Sequence, residues 1–342
     1  MQQFWIRLSA GSLVTIGAIL SAQAQDFFAD KTISIITSTG QGGSYDTAAR
    51  TIARYMPKHI PGRPAMIVKN MPGGGHTRAT NYLYTTAPQD GTTIGTISNS
   101  IPMHQMVDGR GVHYDAAKLN WLGSIGISNL TFVVWHDTGV KAFDEALHKQ
   151  ITLGATGSGS GTFLYPNAAN QILGTKFRII TGYKQSIDID LAMQRGEVAG
   201  RAGGSYAALV AEHPDWIKSS LVRVIAQVGY QRDAALKDVP FLQDFAKDDE
   251  QRQILRFISA PVQVGRPFVA PPGVPADRVA LLRKAFDATM KDKESMAEAD
   301  KLALDIRPMG GVELSRVVAE TVNTPAAIIE KVKAAIAVPV KR

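Results

Sequence analysis

Apolar residues recur along this chain in two alternating rhythms. The run "TISIITS" (32–38) is short and β-branched, which predicts a strand. "DTAARTIARYMPKHI" (46–60) places Ala48, Ile52, Tyr55 and Met56 at helical spacing, with Asp46 as its N-cap. "AMIVKNM" (65–71) reads as a second strand, stopped by Pro72 and three glycines. "HTRATNYLYTTA" (76–87) is helical until Pro88 and "QDG" end it, and "TTIGTIS" (92–98) is a third strand. This β-α-β-α-β order predicts a mostly parallel sheet with helices on both faces.

A second series starts near Trp121. "LTFVVW" (130–135), "ITLGA" (151–155), "FRIITGY" (177–183) and "LVRVIAQV" (221–228) are strand candidates. "FDEALHK" (143–149), "TFLYPNAANQILG" (162–174) and "SIDIDLAMQRG" (186–196) are helical, with Pro166 tolerable only in a first turn, where no donor is needed. The tail returns to helices within 270–292 and 310–336 and is expected to pack back on the first domain. The layout is two α/β domains, with residues 126–262 inserted between 25–125 and 263–342. The crossings fall near 124–130 and 257–265.

Residues 1–24 stand apart from this pattern. Arg7 precedes an apolar stretch from Leu8 to Leu20, and Ala22-Gln23-Ala24 forms an A-x-A cleavage site. A signal peptide cut after Ala24 fits. A membrane anchor is the competing reading, and the stretch is short of the ~20 residues a span needs. The 342-residue chain has no cysteine, which excludes disulfides, thiol nucleophiles, thiolate metal sites and a lipid anchor on cysteine. A soluble periplasmic protein is expected. The net charge of +7, one less without Arg7, favours anionic ligands. The basic residues are scattered without interleaved aromatics, so nucleic acid is not expected as a partner.

Two stretches carry the candidate chemistry. "ITSTGQGGSYDTAAR" (36–50) and "ITLGATGSGSGTF" (151–163) each run from a strand into a glycine- and hydroxyl-rich turn. Such turns leave backbone N–H groups unpaired at the carboxyl end of the strand, and a following helix adds partial positive charge. An anion fits there without a basic side chain. Enzyme motifs fail by contrast. "GATGSGSGT" lacks the lysine of a P-loop and the spacing of G-x-G-x-x-G, and neither Ser158 nor Ser160 is centred in G-x-S-x-G. The seven histidines, at 59, 76, 104, 113, 136, 148 and 213, show no ligand spacing. A catalytic triad built from distant residues stays open, with nothing to mark it. No cofactor and no metal are expected.

The ordered motifs resemble the periplasmic receptors of tripartite tricarboxylate transporters, the Bug or TctC family. "GGSYDTAAR", "VKNMPGGG" (68–75), "APQDGTTIG" (87–95), "GSGSGT" (157–162), "DVPFLQDF" (238–245) and "VAPPGVPADRV" (269–279) follow that family's order over nearly all the mature chain. Three departures stand out: Gln41 replaces a usual proline, "GYKQS" (182–186) lacks a proline and a glycine, and Ala199 replaces a common acid. The resemblance implies a monomeric two-domain binding protein of the type II, Venus-flytrap kind. It would close on a small organic acid and be recognised by membrane transporter subunits. It also implies two ligand loops: Gly42, Gly43, Ser44, Tyr45 and Asp46 in the first, and Thr156, Ser158, Gly159, Ser160, Gly161 and Thr162 in the second.

Each side chain keeps a structural reading beside the functional one. Asp46 caps its helix and pairs with Arg50, or contacts ligand. Tyr45 stacks on a flat ligand or packs at the domain face. Arg201 pairs with a second carboxylate or sits exposed on the surface. Asn99, Ser100 and His104 follow one strand and Tyr183 and Gln185 another, as cleft residues or as plain loop. Ligand sensing for a membrane kinase and, less well supported, a periplasmic hydrolase or lyase are the competing functions.

Overall fold

The computed structural model describes residues 27–337 apart from 43, 127–128, 157–159, 184–185, 231–232, 303 and 305. The leader with its cleavage site, Gly43, Ser158, Gly159, Gln185 and the side chain of Ser44 therefore lie outside the described residues. The strands are β1 (Thr32–Thr37), β2 (Ala65–Asn70), β3 (Thr93–Thr96), β4 (Asn120–Ser124), β5 (Leu130–Trp135) and β6 (Ile151–Ala155). They continue with β7 (Phe177–Thr181), β8 (Gly200–Ser205), β9 (Val222–Val228), β10 (Pro267–Ala270) and β11 (Met309–Gly310).

They form a six-stranded sheet, β11-β4-β10-β3-β1-β2, and a five-stranded sheet, β7-β6-β8-β5-β9. The two sheets share a plan. In the first, β1 lies between β2 and β3 and runs parallel to both; in the second, β6 lies likewise between β7 and β8. The chain leaves β1 towards one side and returns on the other, and it does the same around β6. Each central strand is thus a topological switch point, where helix ends splay and a crevice opens at the strand's carboxyl end. Both glycine-rich turns follow these two strands.

The two-domain α/β class matches expectation, but each sheet has a larger antiparallel part than strand-helix alternation suggests. β10 inserts antiparallel between β3 and β4, and β5 runs antiparallel to β8 and β9. The cause is connectivity: β10 enters the first sheet directly from the second unit, without the local crossover that would make it parallel.

Both faces of the first sheet are buried, so β1 lacks a clean polar alternation. Ile33 and Ile35 face a core with Ile52 and Met56 of the first helix segment and Leu282 and Phe286 of helix Ala276–Thr289. Ile36 faces the opposite core with Leu83, Trp121 and Leu314. In the second sheet, Phe132 and Leu153 pack against helices Gly161–Leu173 and Asp249–Val264, while Val133 and Trp135 pack with Ile189 and Trp216. The last helix, Ala326–Ile336, buries Ile328, Ile329 and Val332 in the second unit's core rather than the first. Its amphipathic pattern calls for an apolar partner and does not say which sheet provides it.

Two details differ from the periodicity. The first helix spans Ser44–Tyr55 and tightens into a 3-10 turn at Met56–His59, so Asp46 lies inside its first turn and is not the N-cap. Helix Gly161–Leu173 carries Pro166 as its sixth residue, beyond the first turn, and continues through it with one backbone bond lost.

The chain leaves the first sheet after Gly126, returns to it after helix Asp249–Val264, and crosses again at 323–325. The first two passages touch. Gly265 has φ +61, and a Cβ on it would come 2.1 Å from the Gly126 carbonyl oxygen. Only glycine allows both that φ and that approach. Beside it, the Arg266 N–H donates to Ser124 Oγ (2.9 Å) and the Ile125 N–H donates to the Arg266 carbonyl (3.1 Å).

Candidate functional site

A cleft of 470 Å³ opens over this double crossing, a size suited to a small molecule. Its walls come from both units. Tyr45, Asn99, Ser100 and Met103 line it from the first; Leu130, Gly161, Leu164, Tyr165, Gly203 and Ser205 line it from the second. Gly126, Gly265 and Arg266 form its floor at the crossings.

The turn after β1 is organised by a charge. The Asp46 carboxylate accepts from the Gly42 N–H (3.0 Å), from Arg50 Nε (2.9 Å) and from the Asn70 amide (2.9 Å). Burial works to raise this carboxyl, but the hydrogen bonds from Arg50, Gly42 and Asn70 outweigh it and hold the group below the usual carboxylate range. With its acceptor sites filled, Asp46 shapes the turn and does not line the cleft. Gly42 faces a separate outer hollow with Gln41, Arg50 and Arg54. Among the described residues of this turn, Tyr45 is the one that reaches the cleft. Its hydroxyl accepts from the Asn99 N–H (3.1 Å), and the Gly265 carbonyl lies 3.5 Å away. Burial pushes this hydroxyl up, opposed by the Asn99 bond and by the charge of Arg266. Tyr45 therefore braces the β3 loop against the floor, while its ring lines the cleft. Ser100 and Ser98 share a hydroxyl contact of 2.8 Å.

The turn after β6 is organised by hydroxyls. Thr162 Oγ1 accepts from the Thr156 N–H (3.0 Å) and contacts Ser160 Oγ (2.6 Å). The Ser160 carbonyl accepts from the Phe163 and Leu164 N–H groups, which places Ser160 as N-cap of a 13-residue helix. That leaves the Gly161 and Thr162 N–H groups without a partner within the helix, and Gly161 presents that end to the cleft. Gly203 (φ +74) passes so close beneath that a Cβ on it would meet the Gly161 carbonyl carbon at 2.3 Å. This gives the cleft an anion-favouring edge without a basic side chain.

Three expected side chains lie elsewhere. Arg201 is 3% exposed and neither faces ligand nor sits on the surface. It stands on β8, where its Nε donates to Asp190 Oδ1 (2.5 Å), and Asp190 Oδ2 also meets His213 Nε2 (3.0 Å). The charge is thus spent inside the second unit. Asp190, Glu212 and His213 bring three ligand-type atoms within 4.8 Å of one another, but Arg201 already holds the buried acid. Tyr183 packs by Gly154 and Ile189 on the other side of the second sheet and does not line the cleft. His104 contacts Asp108 and Arg110 at the surface.

Most other cleft residues were not expected from sequence, Arg266 and Tyr165 among them. A lone arginine between Gly265 and Pro267 has no motif around it, and Tyr165 reads as an ordinary helical apolar residue. Only the crossing and the helix orientation bring them to the cleft.

A family model described as the tripartite tricarboxylate transporter family receptor matches residues 48–334. A relative from Cupriavidus necator, described as a UPF0065 protein in the gbd 5' region, is 28% identical over 330 residues, covering 92% of this chain and 91% of its own. A ligand-free TctC solute binding protein from Polaromonas superposes with a TM-score of 0.70 at 18% identity, covering 88% of this chain and 98% of that one. MatC from Rhodopseudomonas palustris with bound malate gives 0.56 at 18% identity, covering 90% and 99%. An adipate-bound protein from R. palustris gives 0.56 at 17%, covering 90% and 97%. Among the described residues, no helix is long and apolar enough to cross a membrane.

Proposed function

The chain belongs to the tripartite tricarboxylate transporter receptor family, a family of periplasmic solute-binding proteins rather than enzymes, and from that premise we propose that it captures a small organic acid between its two units. The loaded form then engages membrane subunits of a tripartite tricarboxylate-type transporter. Residues 25–125 with 263–342 and residues 126–262 act as the two closing units, the last helix riding with the second. The protein works in the periplasm as a monomer after cleavage behind Ala24.

One observation carries this reading. The helix N-terminus at Gly161 opens into a cleft walled by both units, at the switch point of the second sheet. A carboxylate seated there takes backbone N–H bonds, each contributing roughly 1.5–3 kcal/mol before ordering costs. The turn after β1 shapes the opposite wall through Tyr45. The malate and adipate held by two proteins of the same fold agree with a carboxylate ligand. Closure follows because the ligand touches both units only when they meet, and a ligand shifts the equilibrium by its preference for that state.

The test is a thermal-shift screen of residues 25–342 against aliphatic and aromatic carboxylates with neutral amide analogues. Saturable stabilisation by an acid, absent for its amide, is expected. Equal shifts with acid and amide, or none with any acid once the protein has been refolded from denaturant to empty its site, would refute a carboxylate receptor.

A further inference from the structure

Two side-chain groups in the cleft have nothing to bind. Arg266 makes no ion pair among the described residues, although its charge acts on the Tyr45 hydroxyl. The Tyr165 side chain is 4% exposed and lines the same cleft, and its hydroxyl has no hydrogen-bond partner among the described residues. The other interior arginines have acceptors: the buried Arg201 is paired with Asp190, and the half-buried Arg278 and Arg283 donate to the Asp90 and Trp121 carbonyls. A partly buried guanidinium without an acceptor is costly unless an anion arrives.

The backbone of Arg266 is fixed. Its N–H and C=O are both bonded to the first crossing, and it stands between Gly265 and Pro267. The side chain is thus anchored at the floor, on an element distinct from the helix N-terminus at Gly161. Met103, Leu130 and Leu164 wall the same cleft with apolar surface. The site therefore offers two separate anion-favouring features and an apolar lining.

We propose that Arg266 is the specificity-determining residue of this receptor: its guanidinium receives a second anionic group of the ligand, so that a dianionic acid with an apolar middle is preferred to a singly charged acid of the same length. The inference rests on the carboxylate reading above and deepens it. Guanidinium matches a carboxylate in two parallel hydrogen bonds, which a lysine or glutamine does not reproduce. Because Arg266 lies on the crossing, the second charge also ties the ligand to the segment about which the units move.

The test compares adipate with hexanoate and succinate with butyrate by calorimetry, on the wild-type protein, R266Q and R266K. The wild type should bind the better diacid about tenfold or more tightly than its matched monoacid. R266Q should bring that ratio near one by weakening the diacid alone, and R266K should keep part of it. An unchanged ratio in R266Q would overturn the assignment, as would equal weakening of diacid and monoacid in a variant with native circular dichroism. Should R266Q not fold, R266K decides: a ratio as high as the wild type's shows that any charge suffices and overturns the arginine-specific claim. A wild type that binds monoacids as well as diacids overturns this inference and leaves the carboxylate reading intact. A wild type that binds no acid overturns both.

Discussion

The turns after β1 and β6 occupy matching places in their sheets, yet each rests on a different kind of support. The first is latched by Asp46, whose partner Arg50 has half its side chain in solvent. The second is tied by the Thr162 hydroxyl and has no ionisable side chain among its described residues. Its ion pair lies one layer below: Arg201 and Asp190 are 3% and 1% exposed, and the guanidinium presses on Gly204, next to the Gly203 that meets Gly161. A carboxylate within a turn takes up the donors around it and leaves the turn closed on itself. Moving the charge beneath the turn leaves the helix N–H groups free to face the cleft. The first turn is thus built as a wall and the second as a socket.

The buried support is where this contrast breaks most severely. Arg201→Met should destabilise the protein by about 3–5 kcal/mol in urea unfolding, because Asp190 keeps a buried charge without its main partner. A loss below about 1 kcal/mol would mean that the ion pair does not carry the second turn. The socket itself is tested by Gly161→Val. Its Cβ would sit 3.2 Å from the Tyr165 ring, which borders the open cleft, so folding should survive while acid binding falls about a hundredfold. Retained affinity with a native melting curve would move the carboxylate elsewhere in the cleft. Asp46→Ala comes third. It should cost about 1–2 kcal/mol, since Arg50 can turn to water but the Gly42 N–H loses its acceptor and the Asn70 amide keeps only the Thr39 carbonyl. Its effect on acid affinity should be smaller than that of Gly161→Val, and the reverse order would exchange the roles of wall and socket.

The sequence showed the parts of this design that depend on local pattern. β1 and β6 are legible as β-branched runs leading into glycine and hydroxyl residues, and both turns stand out for the same reason. β8 was not legible: "GRAGGS" has almost no strand propensity and is a strand only because β5 and β6 bracket it. Arg201 was misplaced with it, since a glycine-rich arginine segment looks like a loop until Asp190, eleven residues earlier, packs beside it. Helix Asp249–Val264 did leave a readable signal, Asp248 capping Gln251 and Gln251 reaching back to Lys247, masked by a proline in its last turn. Arg266 had no local signal. Its role depends on where two crossings meet, which is a property of topology.

Acid separates the two turns with the smallest perturbation. The folded Asp46 carboxyl titrates below its unfolded value, so its stabilisation is fully present above about pH 4 and is lost as pH falls through the folded pKa. The Gly42 amide, bonded to that carboxylate, should report the change directly. Its nitrogen chemical shift should move with an inflection below the ordinary aspartate range, while the Thr156 amide, bonded to the Thr162 hydroxyl, stays flat over the same window. Asp46→Asn should abolish the Gly42 inflection. The stability gap between wild type and that variant should also be constant from pH 7 to about pH 5 and close on further acidification. Parallel inflections at Gly42 and Thr156 would mean that both turns respond to one ionisation. The wall and the socket would then be a single coupled unit, and closure on the ligand would have to move them together.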